Sequence, residues 1–265
     1  EMAAAVDKKA GELWYSEPKS VEEWNKITGG YTEWAAPHAV ETAKQLGVTI
    51  TEEKIAGVTV RTLTPKTIDE DKKDKIIYYI HGGGYVFGDG VAGTVEGTLM
   101  AASNNYKVVA VDYRLAPEHP YPAAIDDAFA VYKELVKKYG AQNIAVLGTS
   151  TGGAMTLILA LQCIEGGVPV PGALISGTPW SEMDKIGDSY VTNEGVDNIL
   201  GTYDHLIKAS AEVYADGADL KDPLISPIYA KGEELAQFPP TLLVTGTRDL
   251  FLSNTARMHK LLMMN

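Results

Sequence analysis

Short apolar runs punctuate the second half of the pattern, at Ile76–Ile80, Val108–Val111, Ile144–Leu147, Ala173–Ile175 and Leu242–Val244. Stretches of helix length, 91–104, 122–138 and 151–165, separate most of them. Continuous apolar runs this short fit strands covered on both faces. Strands alternating with helices specify βαβ units and a largely parallel sheet. The stretch 151–165 is apolar on nearly every side, so a helix there must be covered by the sheet and its neighbours.

Two β-prone runs, Val48–Ile50 and Val58–Leu63, precede this series, with a turn around Ala56 and Gly57. Before them, residues 1–46 are polar and helix-rich, with Trp14, Tyr15, Trp24, Tyr31 and Trp34 scattered through them. Between the runs at 173 and 242 lies an irregular segment of about 60 residues that includes an amphipathic piece, Asn198–Tyr214. That is more chain than a crossover needs, and long insertions usually serve as lids or binding loops.

Composition changes the picture little. The 265 residues suffice for one large core, and α/β folds of this size are commonly single units. A net charge of −12 argues against a nucleic-acid or anionic-membrane partner. No run approaches the roughly 18–20 apolar residues of a membrane span, and Glu1–Lys8 lacks the apolar stretch of a secretory leader. A cytoplasmic location is the expectation, with secretion open if a leader has been removed. The single cysteine, Cys163, has no intramolecular partner and reads as a packed side chain. No metal site or cofactor is expected.

Chemistry enters at two glycine-rich stretches. The first, HGGG at His81–Gly84, directly follows the run Ile76–Ile80. Glycine is entropically expensive, so three in succession require a sharp bend or a close approach. The second places Gly148, Ser150 and Gly152 in a G-x-S-x-G pattern between a short strand and an apolar helix. Such a turn exposes the serine hydroxyl on a tight elbow and aims the helix N-terminus at whatever the serine attacks. The two stretches explain each other. Acyl transfer builds an oxyanion that needs preorganised N–H donors. The N–H groups of Gly83, Gly84 and Thr151 are candidates, and side chains at 83 and 84 would crowd the acyl carbonyl. His81 reads as a brace for the loop.

These stretches, with Asp112–Ala124, Asp222–Pro227 and Pro239–Asp249, resemble the hormone-sensitive-lipase-like (family IV) carboxylesterases. The markers run in family order from about residue 75 to 250. Many members have Asp-Ser-Ala where this chain has Thr149, Ser150 and Thr151; the donor at 151 is backbone, so little is lost. The resemblance implies an α/β-hydrolase fold, a mostly parallel central sheet flanked by helices with a helical cap. It implies an N-terminal part of the cap at 1–46 and a core at 47–265 with a cap insertion at about 180–215. It implies a serine esterase that cleaves short- to medium-chain acyl esters through an acyl-enzyme, with Ser150 as nucleophile and Asp249 as triad acid. Asp222 is a rival acid in what resembles a structural turn. Arg114 and Glu118 would brace the core beside the elbow. Tyr85, Trp180 and Tyr190 are candidate pocket walls, with ordinary packing the other reading. A homodimer is possible by resemblance alone.

One element of the pattern is missing. In the family a histidine follows a further helix and strand after the acid, and only 16 residues follow Asp249 here. The expectation is therefore that the last strand and helix of the fold, and the catalytic histidine, lie beyond this sequence. His259 completes the order on paper, but it falls on a helix leading away from the strand end, starting at Ser253 or Asn254 as cap. Two other readings stay open: a ligand-binding protein that has lost the histidine, as gibberellin receptors have, or a lactone or amide hydrolase using the same site.

Overall fold

The computed structural model describes residues 13–265, so residues 1–12 of the expected N-terminal cap segment lie outside the described residues. The strands are β1 (Thr49–Ile55), β2 (Val58–Thr64), β3 (Ile76–Ile80), β4 (Lys107–Val111), β5 (Ile144–Thr149), β6 (Ala173–Gly177) and β7 (Thr241–Val244). They form one sheet in the order β1-β2-β4-β3-β5-β6-β7. The pairs β1–β2 and β2–β4 are antiparallel and the rest parallel. All five residues of β3 are buried, as a strand covered on both faces requires.

The β1–β2 hairpin turns on Ala56 and Gly57, at φ 53° and 83°, the positive angles of a two-residue I′ connection. β1 runs five residues past the expected Val48–Ile50 segment. Its polar side chains hid it, but the ladder to β2 needs only backbone, and Glu52, Glu53 and Lys54 give the sheet edge a charged rim that discourages further pairing.

The longer helices are α1 (Val21–Leu46), α2 (Val95–Asn104), α3 (Ala123–Tyr139), α4 (Thr151–Gly166), α5 (Leu206–Ala215) and α6 (Leu252–Met264). Ser20 caps α1 by accepting from the Glu23 N–H at 3.2 Å, and Gly47, at φ 67°, ends it. The apolar helix expected at 151–165 is α4, buried around nearly its whole circumference. α6 departs from expectation at its start: Phe251 occupies the cap position without a side-chain bond, and Ser253 and Asn254 point elsewhere.

The larger core cluster gathers Tyr78, Val146 and Leu174 of the sheet with Val131, Leu157 and Met258 of the helices. On the opposite sheet face, Ala43 of α1 and Ala101 of α2 pack with Ile77, Tyr79, Val108 and Leu147. Because β3 has β4 on one side and β5 on the other, the winding direction reverses there. The loops after β3 and β5 part, and the crevice between them, at the carboxyl ends of the strands, is where open α/β sheets hold their ligands.

Candidate active site

Ser150 sits between β5 and α4 with φ 61° and ψ −121°, a region L-residues avoid, at a cost of about 1–3 kcal/mol. Neighbouring backbone holds it there. Its N–H donates to the Gly177 carbonyl at 2.9 Å, and its carbonyl accepts from Ala154 at 3.0 Å and Trp180 at 3.1 Å. The flanking glycines are required by packing. A Cβ on Gly152 would lie 2.1 Å from the Ile80 carbonyl oxygen, and one on Gly148 would lie 2.2 Å from that of Gly152. The Ser150 side chain does not cap its own helix, so the Thr151 N–H stays free of protein acceptors among the described residues.

The HGGG loop lies directly against this elbow. A Cβ on Gly82 would stand 2.6 Å from the Thr149 carbonyl oxygen and 3.1 Å from Ser150 Cβ. Gly83 and Gly84 take φ 121° and 64°, and the Gly83 carbonyl accepts from Val86 at 3.1 Å and Phe87 at 2.8 Å. Their own N–H groups have no protein acceptor among the described residues. The need for glycine at 83 is more immediate than room for a substrate: a Cβ there would fall 2.4 Å from the Phe87 carbonyl oxygen.

His81 is buried, its ring stacked on Tyr113 with centroids 4.1 Å apart. Nδ1 lies 2.7 Å from the Gly82 carbonyl oxygen and so carries the proton it donates. Burial, the dominant influence, holds this imidazole below its ordinary pKa. The Tyr113 hydroxyl donates to the His81 carbonyl at 2.8 Å, so the histidine side chain and backbone both fix the loop.

Asp249 follows β7. One carboxylate oxygen accepts from the hydroxyls of Thr178 and, at 2.9 Å, Thr245; the other accepts from the Phe251 N–H at 2.8 Å. Asp222 is elsewhere and structural, accepting from Leu224 N–H at 2.8 Å and the Tyr121 hydroxyl at 3.1 Å. Arg114 makes a two-pronged pair with Asp127, both contacts 2.9 Å. Glu118 is exposed, and its hydrogen bond among the described residues is to Asn25 of α1, away from the elbow it was expected to brace.

Ser150, Asp249, Gly83 and Gly84 share the wall of one cavity of about 1050 Å³. One side comes from Tyr31, Trp34, Ala35, His38 and Thr42, spaced along a single face of α1. Another comes from Asp197–Leu200 in the insertion. The three expected pocket walls are corrected. Tyr85 is fully buried and stacked on Tyr214 at 3.7 Å; Trp180 stacks on Phe251 at 5.5 Å; the Tyr190 hydroxyl accepts from Asn254 at 2.7 Å. None of the three lines the cavity. Thr151 is likewise buried, contributing backbone alone.

Among the described residues no histidine hydrogen-bonds to the Ser150 hydroxyl or the Asp249 carboxylate. His38 contacts the Trp34 carbonyl and His205 pairs with Glu17. His119 and His259 are exposed, His259 on the outer side of α6. Among the described residues there is no group of three or more His, Cys, Asp or Glu placed to hold a metal ion, and no helix is long and apolar enough to cross a membrane. Burial pushes the Cys163 thiol up to about 12, which removes it from nucleophilic chemistry.

Sequence reasoning missed Thr178, Asn193 and Asp197. Asn193 donates to the carbonyls of Asp249 at 2.8 Å and Thr247 at 3.3 Å, and Asp197 accepts from the Leu250 N–H at 2.8 Å. A signal was present: an Asp two and three residues before Ile199 and Leu200 is the spacing of a turn in which the carboxylate takes the following N–H groups.

Residues 77–265 match the family model described as the alpha/beta hydrolase fold. An acetyl-hydrolase of Streptomyces hygroscopicus is 30% identical over 195 residues, 73% of this chain and 64% of that protein. The esterase LipI of Mycobacterium tuberculosis is 34% identical over 211 residues, 76% of this chain and 64% of that one. The chain thus spans about three fifths of the length of the curated relatives it matches. The crystal structure of an esterase, E25, superposes with a TM-score of 0.91 at 43% identity, covering 95% of this chain and 76% of that one. A hormone-sensitive lipase from a metagenome library gives 0.83 at 28% identity, covering 99% and 84%. The match over residues 77–265 and the close superpositions agree, and the chain belongs to the α/β-hydrolase family, in its hormone-sensitive-lipase-like branch.

Proposed function

We propose that this chain carries the nucleophile, oxyanion site and acid of a serine carboxylesterase acting on short- to medium-chain acyl esters. The observation that carries the reading is the strained Ser150 elbow packed against a glycine loop whose N–H groups are free. Ser150 Oγ attacks the ester carbonyl, and the N–H groups of Gly83, Gly84 and Thr151 receive the oxyanion. Collapse expels the alcohol and leaves an acyl-Ser150, which water cleaves to the acid. Asp249 orients the histidine that takes and returns the proton. Among the described residues no histidine holds that place. α1 and the insertion at about 180–215 act as a cap over the acyl group, with Tyr31, Trp34, Ile199 and Leu200 in contact with it.

Turnover of p-nitrophenyl acetate and butyrate by the full-length protein tests the reading. Ser150→Ala is expected to abolish it while the far-UV circular dichroism stays unchanged, and the parent should show a burst of p-nitrophenol with an acyl mass on Ser150. Unchanged turnover in the variant would sink the proposal. Tight ester binding without turnover in the parent would move the chain to the ligand-binding class.

A further inference from the structure

The insertion does more than cover the cavity: it grips the backbone on both sides of Asp249. Its Asn193 side chain donates to the Asp249 and Thr247 carbonyls, and Ser189 Oγ donates to the Leu250 carbonyl at 2.7 Å. Asp197 completes the grip. One of its carboxylate oxygens accepts from Leu250 N–H at 2.8 Å, and the other accepts from Ile199 at 2.8 Å and Leu200 at 2.9 Å. Asp197 is 8% exposed and has no cationic partner within 4 Å among the described residues. Three N–H donors divided between two segments satisfy its charge.

We propose that Asp197 is a positioning residue that locks the cavity wall at Ile199–Leu200 and the turn bearing Asp249 into one unit, so that the wall which meets the acyl group also fixes the direction of the acid. The inference rests on the esterase reading for its catalytic consequence and on geometry alone for the lock. A residue that only filled space would not need both oxygens. A carboxylate spans two donor sets because each oxygen accepts, whereas an amide of the same shape accepts at one end only.

The test uses Asp197→Asn, Asp197→Ala and Asn193→Ala in the full-length protein, with two readouts. In p-nitrophenyl butyrate turnover, Asp197→Ala is expected to lower kcat on the order of 10–10²-fold, the scale of a roughly 1 Å misplacement of a catalytic group. The acid limb of kcat/KM should move to lower pH, because a badly aimed carboxylate supports the protonated base less. Burst amplitude per mole should hold, since a misfolded fraction would lower it without moving the limb. Asp197→Asn should lie between parent and Ala. A kcat within about threefold of the parent and an unmoved limb in both Asp197 variants would overturn the proposal.

The second readout is amide hydrogen exchange. In Asp197→Asn, exchange at Leu250, or at Ile199 and Leu200, should quicken, and the quickening should extend to Asp249; parent-like exchange at all of them overturns the lock. If Asp197→Ala does not fold, Asp197→Asn and Asn193→Ala decide by the same criteria. A parent with no Ser150-dependent turnover defeats the esterase reading, and the exchange result then decides the lock on its own.

Discussion

Trp180 separates a pocket wall from a core residue by measurement. It is 1% exposed, lies nearly parallel to Phe251 at an interplanar angle of 7°, and hangs from a backbone N–H bonded to the Ser150 carbonyl. Trp180→Ala removes a whole indole from that layer. Truncating a buried Trp or Phe to Ala costs about 3–5 kcal/mol, of which the lost ring pair supplies roughly 0.5–1.5. For a domain of this size each kcal/mol moves the melting midpoint by about 2–4 °C, so a fall of roughly 6–20 °C is expected. Far-UV circular dichroism is the appropriate probe, because the substitution itself removes fluorescence. KM for p-nitrophenyl butyrate, measured well below the melting range, should stay within about twofold of the parent. A midpoint within 3 °C together with a severalfold rise in KM would refute the burial argument and put the indole against the substrate.

Two further outcomes follow from the same geometry. Gly84→Ala should be the milder of the two oxyanion-loop substitutions, since its Cβ, in a left-handed conformation, would come no nearer than 3.3 Å to a neighbour, Ser210 Oγ. Gly83→Ala drives a Cβ to 2.4 Å from the Phe87 carbonyl oxygen and should lower kcat on the order of 10²–10³-fold, the scale of a lost oxyanion donor; equal effects of the two would contradict the loop geometry. For His81, burial places the folded-state pKa below the unfolded value of about 6.5, so the unfolded chain takes the proton first as pH falls. The stabilisation is present above that value and is lost as pH drops from about 6.5 through the folded-state pKa; urea midpoints at pH 7.5 and 5.5 should therefore differ more in the parent than in His81→Gln.

The parts most legible in the sequence are those fixed by local chemistry. The runs at 76–80 and 144–147 announce β3 and β5 because a strand covered on both faces has no polar positions to interrupt it. Gly148 and Gly152 announce the elbow because backbone oxygens leave no room for a Cβ. What stayed hidden depends on partners distant in the chain. Whether Tyr85 faces a ligand or Tyr214 is decided by a helix 121 residues further on that brings Tyr214 over it. Asn193 and Asp197 read as ordinary loop polarity until the turn after β7 arrives beside them. β1 was half missed because backbone pairing alone sustains a strand whose side chains are polar.

The strand order also sets how the candidate groups are anchored relative to one another. The glycine loop and Ser150 leave adjacent central strands, about 4.8 Å apart, whose ladders are flanked on both sides. Asp249 follows β7, two strands out from β5, with β6 between them. A shear of β7 against β6 would therefore carry Asp249 away from Ser150 and leave the serine and the glycine loop in register. The spacing of the carboxylate is thus the adjustable dimension of this constellation, and the spacing of the elbow and loop the fixed one.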